Sequence, residues 1–318
     1  MNDINLAHFK LIWQKKKVVE VPYLIKEDPL VSICVQTYNQ VAYIKECLDS
    51  LISQKTTFPI EILLAEDESE DGTRSICIDY AQKYPDKIRL FLHCRQNNIK
   101  ILGEPSANFP AIYNLLNTRG KFIAICEGDD FWGDPNKLQK QVDFLIKNPA
   151  YSFAYHSYIT IDHKSNIIHS NEQKNQPQKD LSTEELLKVE YHPLLLTMCF
   201  KNVFNKAPHE MTRVMNLDTF ILSILGNHGT GKYMDSIEPS FYRQNGKGVW
   251  TGQAREKKLV FKMQTFQNLH EYYFRINKTV LSIYFLRQKN MVKKMLLFQL
   301  IKSKKFMRAL LLISSIKT

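Results

Sequence analysis

Short apolar runs alternate with segments of helical periodicity through the first half of the chain. The runs are rich in Val, Ile and Leu, as buried strands are, and occupy residues 30–35, 60–65, 87–92 and 121–126. Between them, apolar residues at helical spacing predict helices beginning near Asn39, Thr73, Ser106 and Asp134. Strands that alternate with helices form parallel sheets through right-handed crossovers. The pattern predicts an α/β fold with a mixed, mostly parallel central sheet flanked by helices.

The second half of the chain is less regular. An alternating pattern over residues 151–161 predicts another strand, and residues 166–179 are polar and rich in Gln and Asn, which indicates a loop. Ser182 and the glutamates after it form a capping-box sequence that predicts the start of a short helix. Asp218 precedes an apolar run at residues 220–225, which indicates a further helix.

Basic residues are concentrated at the C-terminal end. The net charge of the chain is +11, and residues 255–318 hold fifteen Lys and Arg against two Glu, so the rest is nearly neutral. Apolar residues in this segment recur at helical spacing, which predicts a C-terminal helical appendage. We therefore expect a loosely packed N-terminal extension at residues 1–29, a body at residues 30–255, and a basic helical region at residues 256–318.

The basic helices allow three interpretations. Basic amphipathic helices bind anionic membrane surfaces, with up to about 1 kcal/mol from each well-placed Lys or Arg. Alternatively, the helices pack their apolar face on the body and leave their lysines in solvent. Nucleic-acid binding is a third hypothesis, because Tyr272, Tyr273 and Phe274 lie among the basic residues. We favour the anionic membrane surface and expect no nucleic-acid partner.

Cysteine usage and the N-terminus bear on the cellular compartment. The six cysteines form no Cys-x-x-Cys pair, so the sequence indicates neither a disulfide framework nor a zinc site. The first 30 residues lack the apolar core of a signal peptide, and no run of about 18 uncharged apolar residues occurs. We expect a cytoplasmic protein attached peripherally to the inner face of the cell membrane.

Polar residues follow three of the predicted strands, at residues 36–39, 66–67 and 127–130. The carboxyl ends of parallel strands meet at one edge of a sheet, and ligands bind beyond that edge. The aromatic ring of Tyr38 is suited to stacking, the carboxylate of Asp67 to a base N–H, and an acidic cluster to a divalent metal. Together they suit a nucleotide diphosphate.

Each of these features also has a simpler interpretation. Tyr38 can be a packing aromatic residue, Asp67 an ordinary turn residue, and residues 127–130 an acidic turn that faces water. Clustered carboxylates, however, cost free energy unless a cation lies among them. The coincidence of all three features at one edge favours a ligand site.

Three segments resemble the family 2 glycosyltransferases: VSICVQTYNQ at residues 31–40, IEILLAEDESEDGT at 60–73, and GKFIAICEGDDFWGDPNKLQKQVDFL at 120–145. The resemblance implies the GT-A fold, with a nucleotide-sugar-binding half at residues 30–135 and an acceptor half at 136–255. It also implies transfer of a sugar from a nucleotide sugar, with inversion at the anomeric carbon and the assistance of Mn²⁺ or Mg²⁺.

The resemblance also assigns roles to residues of the first half. It implies that Thr37, Tyr38, Asn39 and Asp67 bind the donor nucleotide. Asp129 would face the metal and the diphosphate, together with Glu127, which stands where many relatives have Asp.

In the second half, the resemblance makes Asp218 the catalytic base, with Asp235 as its rival; as the simpler alternative, Asp218 is an ordinary helix N-cap. Arg243 would neutralise the departing diphosphate, unless it is an exposed arginine in a flexible loop. The following segment, Gly246 to Trp250, would close near the donor phosphates.

We expect a UDP-linked sugar as the donor and a glycan or lipid-linked acceptor, in the synthesis of a bacterial surface polysaccharide. The alternative enzyme class is a nucleotidyltransferase acting on sugar phosphates. Such an enzyme usually grips a triphosphate with a basic Gly-rich loop after the first strand, and residues 36–41 contain neither Gly nor Lys.

Overall fold

A mixed sheet runs through the computed structural model, which describes residues 3–25, 28–168, 176–246 and 252–303. Its strands within these residues are β1 (Val19–Glu20), β2 (Val31–Thr37), β3 (Ile60–Glu66), β4 (Ile88–Leu92), β7 (Phe122–Ile125), β8 (Tyr151–Tyr155), β10 (Cys199–Lys201) and β11 (Thr230–Tyr233). Two smaller pairs lie beside it: β5 (Lys100–Ile101) with β6 (Glu104–Pro105), and β9 (Tyr158–Ile161) with β12 (Ser240–Arg243).

The strand order of the main sheet is β1-β4-β3-β2-β7-β10-β8-β11 in the part of the chain that the structure describes. Strands β4, β3, β2 and β7 run parallel to one another. Strand β10 is antiparallel to both β7 and β8, and β11 returns to a parallel arrangement with β8. This confirms the predicted mixed, mostly parallel sheet.

Helices cover both faces of the sheet, as predicted. They are α1 (Leu6–Trp13), α2 (Ile44–Ile52), α3 (Thr73–Lys83), α4 (Asn108–Asn117), α5 (Lys137–Lys147), α6 (Thr183–Leu187), α7 (Leu217–Leu225), α8 (Arg255–Arg275) and α9 (Thr279–Lys302). Helices α2, α3 and α5 share one hydrophobic cluster, and α1, α4, α7 and α8 share the other. Along β2, Ile33 and Val35 belong to the first cluster and Cys34 to the second, because side chains alternate along a strand.

The N-terminal segment is packed more tightly than the sequence predicts. Ile4 and Phe9 are buried, and the backbone of Ile4 pairs with Ala207 in an antiparallel bridge. The ring centroid of Phe9 lies 5.2 Å from that of Phe109 on α4. The prediction of a loosely packed extension was therefore wrong for these residues, because their apolar side chains complete the core.

The C-terminal helices form the predicted appendage, but α8 is part of the core. Phe261, Leu269 and Tyr273 are buried in the same cluster as the sheet, and the Tyr273 hydroxyl lies 2.7 Å from Ser223 Oγ on α7. For α8 the structure therefore agrees with the interpretation that the appendage packs its apolar face on the body. Residues 304–318 of the predicted helical region lie outside the described residues.

Several element boundaries differ from the prediction. Asn39 does not cap α2, which begins five residues later at Ile44. The side chain of Asp134 accepts from the Asn136 N–H at 2.7 Å, so it stabilises a turn that precedes α5. Residues 151–161 form two strands rather than one. The capping box is confirmed, because the Ser182 hydroxyl accepts from the Glu185 N–H at 3.2 Å.

The packing of α8 predicts a large effect of one core substitution. Leu269→Ala should lower the free energy of unfolding by about 2–5 kcal/mol, because it leaves a cavity between α8 and the body. Phe274→Ala on the same helix is the control, since this side chain is exposed and its loss should change stability by less than about 1 kcal/mol. Urea unfolding of both variants measures the difference. Equal, small effects would mean that α8 is only loosely attached.

Candidate active site

The loop after β2 is fastened to the loop after β3. The Asn39 N–H donates to Ser69 Oγ at 2.9 Å, and Asn39 Oδ1 accepts from the Glu70 N–H at 3.0 Å. Asn39 itself adopts a left-handed φ of 50°, which Asn tolerates better than most residues. The Asn39 side chain thus joins two loops at the carboxyl edge of the sheet.

Tyr38 and Asp67 come together around residues that the sequence prediction missed. Asp67 Oδ2 accepts from Arg95 Nη1 at 3.0 Å and from Asn98 Nδ2 at 2.9 Å. The Arg95 guanidinium lies 3.7 Å from the centroid of the Tyr38 ring, which is part exposed. Arg95 and Asn98 belong to the polar run that follows β4, so the rule that placed residues 36–39 at the sheet edge could also have found them.

Asp67 has an unused oxygen. Its Oδ1 is buried and makes no hydrogen bond within the described ranges. Burial raises the pKa of Asp67 to about 6, and the Asn98 hydrogen bond and Arg95 only partly oppose this. Above that pH the carboxylate is charged, and its Oδ1 retains the capacity to accept one N–H.

The acidic turn after β7 depends on Gly128. A Cβ atom at this position would lie 2.8 Å from Thr37 Oγ1, a distance that real Cβ contacts essentially never show. Thr37 itself is buried and its hydroxyl donates to Gln40 Oε1 at 2.7 Å. The absence of a side chain at Gly128 therefore allows the turn to lie directly against the end of β2.

The carboxyl group of Glu127 lines a cavity and carries a raised pKa. Solvent reaches the side chain through the cavity, yet protein atoms surround it closely enough that burial raises its pKa to about 8, with Asp129 and Asp218 adding to the effect. With its amide nitrogen turned toward Glu127, Gln36 donates to the two carboxyl oxygens at 3.2 and 3.3 Å. The site thus concentrates acidic groups whose ionisation is opposed by burial and by one another.

This donor set fits a divalent cation that is shared with a ligand. Among the described residues, no group of three or more His, Cys, Asp or Glu side chains converges to hold a metal ion on protein ligands alone. Mg²⁺ in phosphate sites is typically bound by one or two carboxylates together with substrate phosphates. Of the two metal ligands predicted from the sequence, Glu127 lines the cavity, whereas Asp129 is not among its lining residues.

Arg243 is a buried connector within the protein. Its Nε donates to the Asp129 carbonyl oxygen at 2.9 Å, Nη1 to the Asp162 carbonyl oxygen at 3.0 Å, and Nη2 to a carboxylate oxygen of Glu46 at 2.6 Å. Its side chain is only 1% exposed. The guanidinium is thus occupied by hydrogen bonds to protein groups. This position agrees neither with the predicted contact to the diphosphate nor with an exposed arginine in a flexible loop. Residues 247–250 of the predicted closing segment lie outside the described residues.

Asp218 and Glu127 both line a cavity of about 760 Å³. Asp218 lies in the first turn of α7 and is not its N-cap, which is Asn216. Its Oδ1 accepts from the Thr219 N–H at 2.7 Å, and its Oδ2 lies 3.5 Å from Nε2 of His192. The rival Asp235 is exposed in the turn after β11 and is not among the residues that line this cavity.

Helix α8 supplies another part of the cavity wall. Lys262, Thr265 and Phe266 line it, and Thr265 Oγ1 donates to Asn216 Oδ1 at 3.4 Å. Sequence reasoning missed these residues and His192, because their contacts join segments far apart in the chain.

Comparison with known proteins identifies relatives for most of the chain. A family model described as glycosyl transferase family 2 matches residues 32–101. An uncharacterized protein of Mycobacterium tuberculosis is 38% identical over 224 residues, which are 69% of this chain and 60% of the relative. An uncharacterized glycosyltransferase of Rickettsia typhi is 30% identical over 183 residues, which are 55% of this chain and 53% of the relative. The chain thus spans less than two thirds of the length of either relative.

A solved structure supports the architecture. The crystal structure of residues 1–349 of S. aureus TarS in complex with UDP-GlcNAc matches with a TM-score of 0.50 and 15% identity, over 75% of this chain and 66% of that chain. At this level of identity the likeness concerns the fold alone. It confirms the GT-A-type α/β architecture.

The contacts of Arg243 predict a loss of stability on its removal. Arg243→Met should lower the free energy of unfolding by at least about 2 kcal/mol, because several charge-assisted hydrogen bonds are lost together. Arg213→Met is the control, since Arg213 pairs with Glu271 at the exposed surface and should contribute less than about 1 kcal/mol. Chemical denaturation compares the two. Unchanged stability with loss of donor turnover would instead support the phosphate role predicted from the sequence.

Proposed function

We propose that the protein transfers a sugar from a nucleotide sugar to an acceptor hydroxyl, with inversion at the anomeric carbon, because residues 32–101 match the model of glycosyl transferase family 2. The observation that carries the proposal is the shared cavity, which brings Glu127 from the acidic turn and Asp218 from α7 to one space. Direct displacement needs a charge-stabilised leaving group on one side and one base on the other. Asp218 suits the base, and Glu127 suits a ligand of a cation that would stabilise the leaving group.

The nucleotide of the donor would bind at the edge formed by Tyr38 and Asp67. The base would stack on the exposed part of Tyr38, whose ring is held by Arg95. The unused Oδ1 of Asp67 would accept a base N–H, such as the ring N–H of uracil. We therefore propose a UDP-linked sugar.

Next to this edge, Glu127 and Asp129 would hold Mn²⁺ or Mg²⁺ together with the donor phosphates, and the bound ion would supply positive charge against the departing diphosphate. Asn245 Nδ2 donates to Asp129 Oδ2 at 2.9 Å, which orients this carboxylate. Arg243 fixes the turn with two hydrogen bonds. Its Nε donates to the Asp129 carbonyl oxygen, and its backbone N–H donates to Asp130 Oδ1 at 2.8 Å. These contacts keep the acidic side chains in place before a ligand arrives.

Asp218 would act as the base. The Thr219 N–H holds Oδ1, and Oδ2 can take the proton of an acceptor hydroxyl that enters the cavity. His192 lies against both Asp218 and Thr219, with Nε2 3.2 Å from Thr219 Oγ1, so it limits the rotation of the carboxylate. Orientation of the reactants contributes to the rate alongside the proton transfer.

The acceptor would be a glycan or a lipid-linked molecule at the inner surface of the cell membrane, in the synthesis of a bacterial surface polysaccharide. No helix within the described ranges is long and apolar enough to cross a membrane. Helix α9, however, is apolar on two faces. One is buried against α8, and the other exposes a stripe formed by Val280, Ile283, Met291, Met295, Phe298 and Ile301.

The exposed stripe of α9 carries positive charge. Arg287, Lys294 and Lys302 lie along the same side at helical spacing, and the helix contains no Asp or Glu. A long helix that exposes apolar and basic residues together is typical of helices that lie at an anionic membrane surface. We propose that this stripe attaches the protein to the membrane.

Replacement of the base tests the proposed function directly. Asp218→Asn should lower kcat for a UDP-sugar by about 10²–10⁴-fold, while the donor KM changes little, because the base acts in the transition state. Asp235→Asn is the matched control and should retain wild-type turnover. Steady-state kinetics over a panel of UDP-sugars provide the measurement. If Asp235→Asn loses turnover and Asp218→Asn does not, the base is Asp235.

Removal of the metal should also abolish turnover. Treatment with EDTA and, separately, Asp129→Ala should each reduce UDP-sugar turnover by about 100-fold or more, since the ion contributes several kcal/mol of charge stabilisation. Added Mn²⁺ or Mg²⁺ should restore the treated wild type but not the variant. Asp79→Ala on the exposed side of α3 is the control for loss of one carboxylate. Full turnover in EDTA would contradict the proposal.

Membrane attachment through α9 predicts binding to anionic vesicles. The protein should sediment with vesicles that contain phosphatidylglycerol, and the paired change Met291→Gln with Phe298→Gln should weaken binding about tenfold or more. High salt should release the wild type, because attraction by exposed charges is screened within roughly 10 Å at 0.1 M salt. Leu11→Gln, at an exposed apolar position on α1, is the control. Equal binding of both variants, or binding to oligonucleotides instead, would contradict this assignment.

A further inference from the structure

Helix α8 places a lysine in the cavity that holds the proposed base. Lys262 lines this space with Thr265, which lies one helical turn further along and contacts Asn216, the N-cap of the helix that carries Asp218. A helical turn rises by about 5.4 Å. Lys262 and the proposed base therefore line the same cavity and lie on two helices that contact each other through Thr265 and Asn216.

The position of Lys262 is fixed by the core. Phe261, which precedes it, and Leu269, two turns later, are buried in the main hydrophobic cluster. A side chain on a helix that is anchored on both sides of it is well suited to position a ligand, because the backbone beneath it does not move.

Acidic side chains outnumber Lys and Arg side chains in the cavity wall. Glu127, Asp130, Glu190 and Asp218 line it, whereas Lys262 is the single Lys or Arg among the lining residues within the described part of the chain. Lys262 is exposed, and no ion pair is formed by it in the residues described here; its ammonium lies 5.6 Å from the Phe266 ring centroid. An anionic group that enters this cavity would be repelled by the acids and attracted to Lys262.

The remaining wall is largely apolar. Leu115, Ile125, Leu196 and Ile221 line it together with Phe266. A ligand that fills the cavity would therefore need an apolar part as well as an anionic group.

We propose that Lys262 binds a phosphate group carried by the acceptor next to an apolar chain, and so turns the acceptor hydroxyl toward Asp218. The inference rests on the proposed function, because it specifies the acceptor of the same site. The donor diphosphate is the other possible source of a phosphate for Lys262, and direct binding measurements can separate the two.

The test is calorimetric titration of the full-length protein with octyl phosphate, octyl glucoside, inorganic phosphate and UDP. The wild type should bind octyl phosphate at least about tenfold more tightly than either octyl glucoside or inorganic phosphate, because both the charge and the chain contribute. Lys262→Ala should lose the preference over octyl glucoside, Lys262→Arg should keep it, and Lys147→Ala should match the wild type. Lys147 is an exposed lysine on α5 and does not line the cavity.

Three results would overturn the proposal. The first is a wild type that does not prefer octyl phosphate, and the second is a preference for octyl phosphate that survives in Lys262→Ala. The third is a Lys262→Ala variant with weakened UDP binding and unchanged octyl phosphate binding, which would assign the Lys262 ammonium group to the donor diphosphate. A wild type that binds octyl phosphate as expected but turns over no UDP-sugar would count against the proposed function and not against this ligand class.

Discussion

The buried guanidinium of Arg243 makes the acidic turn possible. Three carboxyl groups within four residues repel one another, and burial raises the pKa values of Asp129 and Asp130 further. Arg243 lowers this cost by its charge, and its hydrogen bonds join the turn to α2 and to the loop after β9. Stacking of Phe131 on Phe241, with ring centroids 4.4 Å apart, adds apolar contact beside it. The orientation of Glu127 toward the cavity depends on this arrangement.

A second buried cation holds the neighbouring helix. Lys137, in the first turn of α5, donates to Gln141 Oε1 at 2.9 Å and to the Met198 carbonyl oxygen at 3.3 Å, and it lies 4.1 Å from the Trp132 ring centroid. Burial lowers its pKa to about 8. The structure thus fastens both ends of the segment that follows β7, the acidic turn through Arg243 and the helix through Lys137. The fixed partners of Arg243 and Lys137 therefore restrain this segment.

The sequence predicted those parts of the fold that local pattern determines. Periodicity identified β2, β3, β4 and β7, and the rule for parallel strands correctly brought Tyr38, Asp67 and the acidic turn to one edge. It could not show that Arg243 is engaged by Glu46, because that contact joins residues 197 positions apart. For the same reason it treated the C-terminal segment as separate, although Phe261 and Tyr273 of α8 complete the core. Charge counting described the composition of this segment and not its packing.

The position of α8 has a consequence for how the protein is made. A ribosome synthesises the sheet and the acidic turn first, and at about 5–20 residues per second the 21 residues of α8 take roughly 1–4 s. Until α8 emerges, the cavity lacks the wall that carries Lys262 and Phe266, and the core lacks Leu269. Asp3 near the start of the chain then forms an ion pair with Arg275 at the end of α8, with Nη2 and Oδ1 2.7 Å apart. A prematurely terminated chain would therefore expose apolar surface to chaperones and proteases while the cavity is still incomplete.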